Sequence, residues 1–351
     1  MHLTPRARRS KSPPVPDSDR PIFIVTRGSA LALAQANSIL AQCRTAFPKL
    51  RFDLTITRTT GDKLQTASLA RKGGVLPKGL FTKELEVMLL KHRADLAVHS
   101  LKDLPTDLPA GLKLGAVGRR ADVRDVLIYR DAEYVKNPPS DDWTPGQSKR
   151  RGFGPKLKLN DLPTGTVIAT SSTRRKAQLL AQRHDFKVVE LRGNLTTRLT
   201  KLSERAEFDA TVLALAGLLR LNFRINPDGR LEGDAVPDGL LAVELEPEVM
   251  LPCVGQGAIG VEIREYDERI ETICGRLNHY NTQQCALAER AFLHAMGGGC
   301  QSPVAAYAEI VGDNIRMRAV SFRAEQPRRA EGKRPVKEAI ELGEQLAAEL
   351  K

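Results

Sequence analysis

Aromatic residues make up only 5% of this sequence, with a single tryptophan, Trp143. No nucleic-acid-binding motif accompanies them, which weakens the nucleic-acid reading that a basic chain would otherwise invite. No apolar run reaches the length of a membrane span, and no signal-peptide pattern opens the chain. Cysteine is scarce, with five residues at positions 43, 253, 274, 285 and 300. That odd number, without a Cys-x-x-Cys pair or a Cys/His cluster, excludes a disulfide framework and a structural zinc site. It points instead to reduced thiols in a cytoplasmic protein.

The chain has 351 residues, 41% hydrophobic and 27% charged, an ordinary composition for a globular protein of two or three domains. Its formal net charge of +12 favours anionic partners. Part of that excess sits in residues 1–20, where Arg6, Arg8, Arg9, Lys11 and Arg20 stand among prolines and serines. Such a segment cannot bury a core and reads as a solvated basic tail; an organellar transit peptide is the weaker alternative.

Periodicity predicts two similar α/β halves. In the first, the strand Ile22-Phe23-Ile24-Val25 leads through Thr26-Arg27-Gly28-Ser29 into a helix over 31–40, with Ser29 placed to cap it. A strand over 52–57, an amphipathic helix over 81–93 and the strand Leu96-Ala97-Val98 follow, the last ending in His99-Ser100-Leu101-Lys102-Asp103. The rhythm restarts at Val167-Ile168-Ala169 and continues through Val188-Val189-Glu190-Leu191 and Ala210-Thr211-Val212-Leu213-Ala214. Residues 131–160, rich in Pro, Gly and charge, read as an inserted surface loop. After about residue 278 the pattern becomes a helix, the glycine run Gly297-Gly298-Gly299 before Cys300, a hairpin turning at Gly312-Asp313-Asn314, and a final helix carrying Val336, Ala339, Ile340, Leu346 and Leu350. The expected division is a tail over 1–20, a first α/β domain over 21–120 with 255–277, a second over 121–254, and a small α+β domain over 278–351.

In open parallel sheets, ligands bind beyond the carboxyl ends of the strands, where helix N-termini also point. Here those ends carry Arg27, Ser29, Ser100, Lys102 and Asp103 in the first half. In the second they carry Ser171, Ser172, Arg174, Arg175, Arg192, Arg198 and Arg220. Arginine grips carboxylate through paired hydrogen bonds, and Arg174-Arg175 at a helix start opposes the helix dipole unless an anion is present. Each arginine alone reads as a solvated surface charge; the set reads as a site for a polycarboxylate. Asp103, an acid among these cations, is a turn cap or a group that stabilises developing positive charge. His99 reads as a buried structural histidine.

These stretches resemble the porphobilinogen deaminase (hydroxymethylbilane synthase) family. The resemblance rests on Thr26-Arg27-Gly28-Ser29-Ala30-Leu31, Gly79-Leu80-Phe81-Thr82-Lys83-Glu84-Leu85-Glu86 and Ala94-Asp95-Leu96-Ala97-Val98-His99-Ser100-Leu101-Lys102-Asp103. It extends to Thr170-Ser171-Ser172-Thr173-Arg174-Arg175, Leu191-Arg192-Gly193-Asn194, Val254-Gly255-Gln256-Gly257-Ala258 and Gly298-Gly299-Cys300, in family order from about 21 to 310. It implies two doubly wound domains like those of periplasmic binding proteins, plus the small α+β domain. It implies a transferase that condenses four porphobilinogen molecules head to tail, releasing ammonia, into the linear tetrapyrrole hydroxymethylbilane. A dipyrromethane cofactor, joined to Cys300 as a thioether, primes that reaction.

By the same resemblance Asp103 is catalytic. Arg27, Ser29, Lys78, Ser100, Lys102, Thr170, Ser172, Arg174, Arg175, Arg192, Gly193, Arg198 and Arg220 hold acetate and propionate groups. Gln35, Phe81 and Gln256 are further pocket candidates, and no metal is expected. Lys72 and Lys78 compete for the role of the family's flexible-loop lysine, because the stretch between them is longer here than usual. A cytoplasmic monomer that passes its product to uroporphyrinogen III synthase completes the expectation. A flexible attachment of the small domain would let the growing chain retreat from the reacting centre. The rivals are a two-lobed binding protein without chemistry, which leaves Cys300 and Asp103 unexplained, and a nucleic-acid binder, which explains little beyond the charge.

Overall fold

The computed structural model describes residues 20–61, 79–136, 150–299 and 302–351. In chain order the first elements are β1 (Ile22–Arg27), α1 (Ala30–Ala46), β2 (Phe52–Thr57), α2 (Lys83–Leu90) and β3 (Leu96–Ser100). A single 3-10 turn, Leu101–Asp103, follows, then β4 (Leu112–Val117), β5 (Asp125–Arg130) and α3 (Ala132–Lys136). Next come β6 (Val167–Ala169), α4 (Thr173–Gln182), β7 (Lys187–Val189), α5 (Leu195–Glu204), β8 (Ala210–Ala214) and α6 (Leu215–Arg220). The short β9 (Arg224–Ile225) and β10 (Leu231–Glu232) precede β11 (Leu240–Leu245), β12 (Ile259–Arg264) and α7 (Glu268–Leu277). The last elements are α8 (Tyr280–Ala295), β13 (Val304–Val311), β14 (Asn314–Ser321), β15 (Arg328–Pro335) and α9 (Ala339–Leu350).

Two five-stranded sheets, one three-stranded sheet and a two-stranded β10-β9 ribbon organise these elements, the larger three in the orders β2-β1-β3-β12-β4, β11-β5-β8-β6-β7 and β13-β14-β15. The first two are mixed, not wholly parallel. β12 runs antiparallel to both β3 and β4, and β5 runs antiparallel to both β11 and β8. The chain passes from the first sheet to the second between β4 and β5, and returns between β11 and β12. The two crossing segments are bonded to each other: Ala121 N donates to Gly257 O, and Gln256 Nε2 donates to Val123 O at 2.7 Å.

Apolar clusters fill the space between helices and sheets. Ile22, Ile24, Ile39, Phe52 and Leu96 join Ile263, Ile273 and Leu277 in the first unit, so β12 and α7 complete that core although they follow the second unit in sequence. β15 escapes sequence detection because it is an exposed edge strand of arginine, lysine and glutamate. Its small residue Gly332 lets α9 approach closely, and a Cβ there would lie 2.8 Å from Leu342. In α9 the buried face is Ala339, Leu342, Leu346 and Leu350; Ile340, expected there, is exposed. The expected surface loop over 131–160 is partly core where it is described: Leu159 is buried and Phe153 packs edge-on against Tyr129. Trp143 lies outside the described residues.

Candidate functional site

The carboxyl end of β1 delivers Arg27, whose guanidinium sits 4.3 Å above the centre of the Phe81 ring. Phe81 therefore serves as a platform for a cation. Ser29 caps α1 by accepting from Ala32 N, which places the α1 N-terminus at the same edge. One turn and a half along α1, the buried Gln35 brackets the Ser100 hydroxyl. Its Nε2 donates at 2.8 Å, and Ser100 Oγ donates to its Oε1 at 3.1 Å. Lys102 and Asp103, on the 3-10 turn after β3, are half-buried beside it. His99 points to the other side of β3 and meets Glu262 Oε2 of β12 at 3.0 Å in the interior, the structural role expected for it.

The second unit supplies the facing wall. Gln35, Ser100 and Lys102 look across a narrow cleft at Ala214, Gly217 and Arg220. Arg220 donates from Nη2 to Gly257 O at 2.7 Å, and Arg198 from Nε to Gly193 O at 2.8 Å. Among the described residues no carboxylate lies within salt-bridge distance of either. Burial pulls both guanidiniums down to about 10; for Arg198 the neighbouring charge of Arg175 adds to the depression and that of Asp103 opposes it. Asp103 of the first unit is thus the acid within electrostatic reach of Arg198 in the second.

The Arg174/Arg175 pair is placed differently from expectation. Both are buried against the wholly buried Asp125 at the head of β5: Arg175 reaches Oδ1 through Nε and Nη2, and Arg174 Nη1 lies 2.8 Å from Oδ2. Arg175 Nη1 also donates to Val212 O, and Arg174 Nη1 to Leu251 O. The anion that offsets their position at a helix start is supplied by the chain itself, so the dipole argument requires no ligand there. Arg174 Nε is the one donor of the pair left buried without a partner. Sequence reasoning missed Asp125. The signal was available: an acid opening the apolar strand Val126-Leu127-Ile128 must be paired once buried.

Four further candidates hold internal partners. Gln256 is fully buried in the second crossing segment, its Nε2 on Val123 O and Asp125 and its Oε1 accepting from the Cys253 thiol, so it ties the crossings together and does not line the cleft. Arg192 is exposed and pairs with Glu190 two residues back. Thr170 Oγ1 accepts from Ser172 N, while Ser172 Oγ caps α4. Lys72, Lys78 and Cys300 lie outside the described residues. Of the other cysteines, burial pushes the thiols of Cys43 to about 11 and of Cys274 and Cys285 to about 12, which removes them as thiolates at neutral pH.

Among the described residues, no group of three or more His, Cys, Asp or Glu side chains is arranged to hold a metal, and no helix is long and apolar enough to cross a membrane.

Two α/β units joined by paired crossing segments, a cleft lined by cations and an appended α+β unit define a two-lobed α/β protein with a third unit docked at the joint. The chain belongs to the porphobilinogen deaminase family. The family model described as porphobilinogen deaminase, dipyromethane cofactor binding domain, matches residues 22–272, and that of the C-terminal domain matches 283–351. Porphobilinogen deaminase of Chlorobium phaeobacteroides is 41% identical over 298 residues, 85% of this chain and 82% of the relative. That of Desulforamulus reducens is 38% identical over 331 residues, 94% of each. With the family come the reaction, which makes hydroxymethylbilane from porphobilinogen for tetrapyrrole biosynthesis, and the dipyrromethane cofactor. The effector-binding domain of BenM, solved with benzoate, aligns with 75% of this chain and 89% of its own at 17% identity, with a TM-score of only 0.38.

Proposed function

We propose that the cleft between the two α/β units holds the acetate and propionate groups of the cofactor, the growing chain and the incoming porphobilinogen. Arg198, Arg220, Lys102, Arg27 and Ser29 do the holding. The observation that carries this reading is that Arg198 and Arg220 are half-buried and partly desolvated with no carboxylate partner among the described residues. A desolvated guanidinium is unfavourable alone and binds a carboxylate strongly, at about 1.5–3 kcal/mol per charge-assisted hydrogen bond. The donor set therefore fits a group bearing several carboxylates. When bound, the dipyrromethane supplies the pyrrole terminus from which the product is extended; Cys300 is its attachment point in this reading.

Among the described residues, Asp103 is the acid within electrostatic reach of Arg198 at this edge. Its carboxylate faces the substrate as ammonia departs and stabilises the positive charge that develops on the pyrrole. In the same reading the chain divides into 21–120 with 255–277, 121–254 and 278–351. One of Lys72 and Lys78 takes the role of the family's flexible-loop lysine, and the enzyme works as a cytoplasmic monomer whose product passes to uroporphyrinogen III synthase.

Replacing Asp103→Asn keeps the shape and removes the charge. Ammonia release should fall by about 10²–10³ with the fold and cofactor mass intact, in line with the loss of one preorganised charge. Replacing Arg220→Met should lower kcat/KM by roughly ten- to a hundredfold through KM. Parent-like turnover by Asp103→Asn would remove the assignment.

A further inference from the structure

α8 carries a stripe of residues at four-residue spacing, Thr282, Ala286, Arg290 and His294, and each meets the first unit. Thr282 Oγ1 accepts from Arg120 N at 3.2 Å, just past β4. Ala286 packs in one apolar cluster with Leu101, Leu104 and Val117. Arg290 donates from Nη1 to Leu104 O at 3.0 Å and from Nη2 to Pro105 O at 2.7 Å and Thr106 O at 3.4 Å. His294 Nδ1 lies 2.9 Å from Asp107 Oδ1. Residues one helical turn apart share a face, so α8 follows the peptide from Leu101 to Asp107 along its length. That peptide contains Asp103.

The three carbonyls bound by Arg290 belong to a segment with no strand or helix of its own to hold it. Leu104 is buried, and the proline at 105 has no amide hydrogen to give, so the carbonyls are what a neighbour can grip. We propose that Arg290 is a positioning residue for the condensation. By holding the peptide immediately after Asp103 on α8, it fixes the carboxylate relative to the helix whose far end leads into the glycine run before Cys300. The first unit and α8 are thereby held as one body. This inference rests on the reading of Asp103 as the catalytic acid.

The test uses the cofactor-loaded enzyme and two variants, Arg290→Met, which keeps the stem and removes the donors, and Arg290→Lys, which restores one charged donor. Small displacements of a catalytic group are costly, so Arg290→Met should lower kcat by about ten- to a hundredfold while leaving KM for porphobilinogen near the parent value. Amide exchange at 104–107 should quicken in parallel, and Arg290→Lys should recover part of both. A purely structural arginine would lower the melting temperature with kcat per folded molecule unchanged, and that outcome overturns the proposal. If Arg290→Met does not fold, Arg290→Lys carries the test, and a parent kcat despite faster exchange at 104–107 contradicts it. Failure of the underlying reading is separable. Asp103→Asn would then be active, while exchange at 104–107 still reports whether Arg290 is the anchor.

Discussion

A carboxylate withdrawn from water is unfavourable by several kcal/mol unless it is paired, and Asp125 is paired twice. Its burial alone would raise its pKa, but the guanidiniums of Arg174 and Arg175 overcome that and pull the group down to about 2. The sign follows from the unfolded value near 3.8. The stabilisation is fully present above that pH and is lost as pH falls through 4 toward 2, amounting to about 2 kcal/mol. Urea unfolding across that range should show this loss in the parent, and Asp125→Asn should lack that part of the acid limb. At neutral pH Asp125→Asn should be destabilised by about 3–5 kcal/mol, because it leaves two guanidiniums buried without their anion. An identical acid limb in the variant would show that the pair contributes nothing. The arginines were legible as residues at strand ends. Their division into a structural pair and cleft-facing members was not, because Asp125 lies about fifty positions upstream and only the fold brings it to them.

Among elements, the connection from β7 to α5 illustrates how local chemistry places a functional side chain. Asn194 caps α5 through Thr197 N, and Gly193 before it adopts φ +127°, a conformation that favours glycine. A Cβ there would also sit 2.9 Å from Thr197 Cγ2. Gly193 O receives the Arg198 Nε donor, so the glycine fixes the guanidinium as well as the turn. Gly193→Ala should cost roughly 1–3 kcal/mol in denaturant unfolding and weaken substrate binding together. Unchanged values for both would separate the turn from the site. The strands β1, β2 and β3 and the Ser29 cap were readable from apolar runs and helix-start chemistry. The directions of β5 and β12 were not, since periodicity says nothing about orientation, and β15 has no apolar alternation to read.

At the scale of the whole molecule, the joint between the units is densely bonded. The fully buried Glu289 of α8 accepts from Arg120 Nη1 at 2.6 Å and Nη2 at 3.0 Å, from Gly255 N at 2.7 Å and from Ala308 N at 2.8 Å. One carboxylate thus gathers the end of the first unit, the returning crossing segment and the third unit. A small domain loosely hung from the other two, which the glycine run suggests, does not match this joint. The two-lobed arrangement with an appended unit was legible in the repeated rhythm of the sequence; the joint was not, because each partner is an unremarkable charged residue until the units meet.

The central claim is that one thiol anchors the primer within a cleft built for its carboxylates, and intact mass of the freshly purified protein tests it most directly. The expected result is a chain heavier than its sequence by two pyrrole units, an excess absent from Cys300→Ser. A chain at its sequence mass, unaltered after incubation with porphobilinogen, would contradict the account.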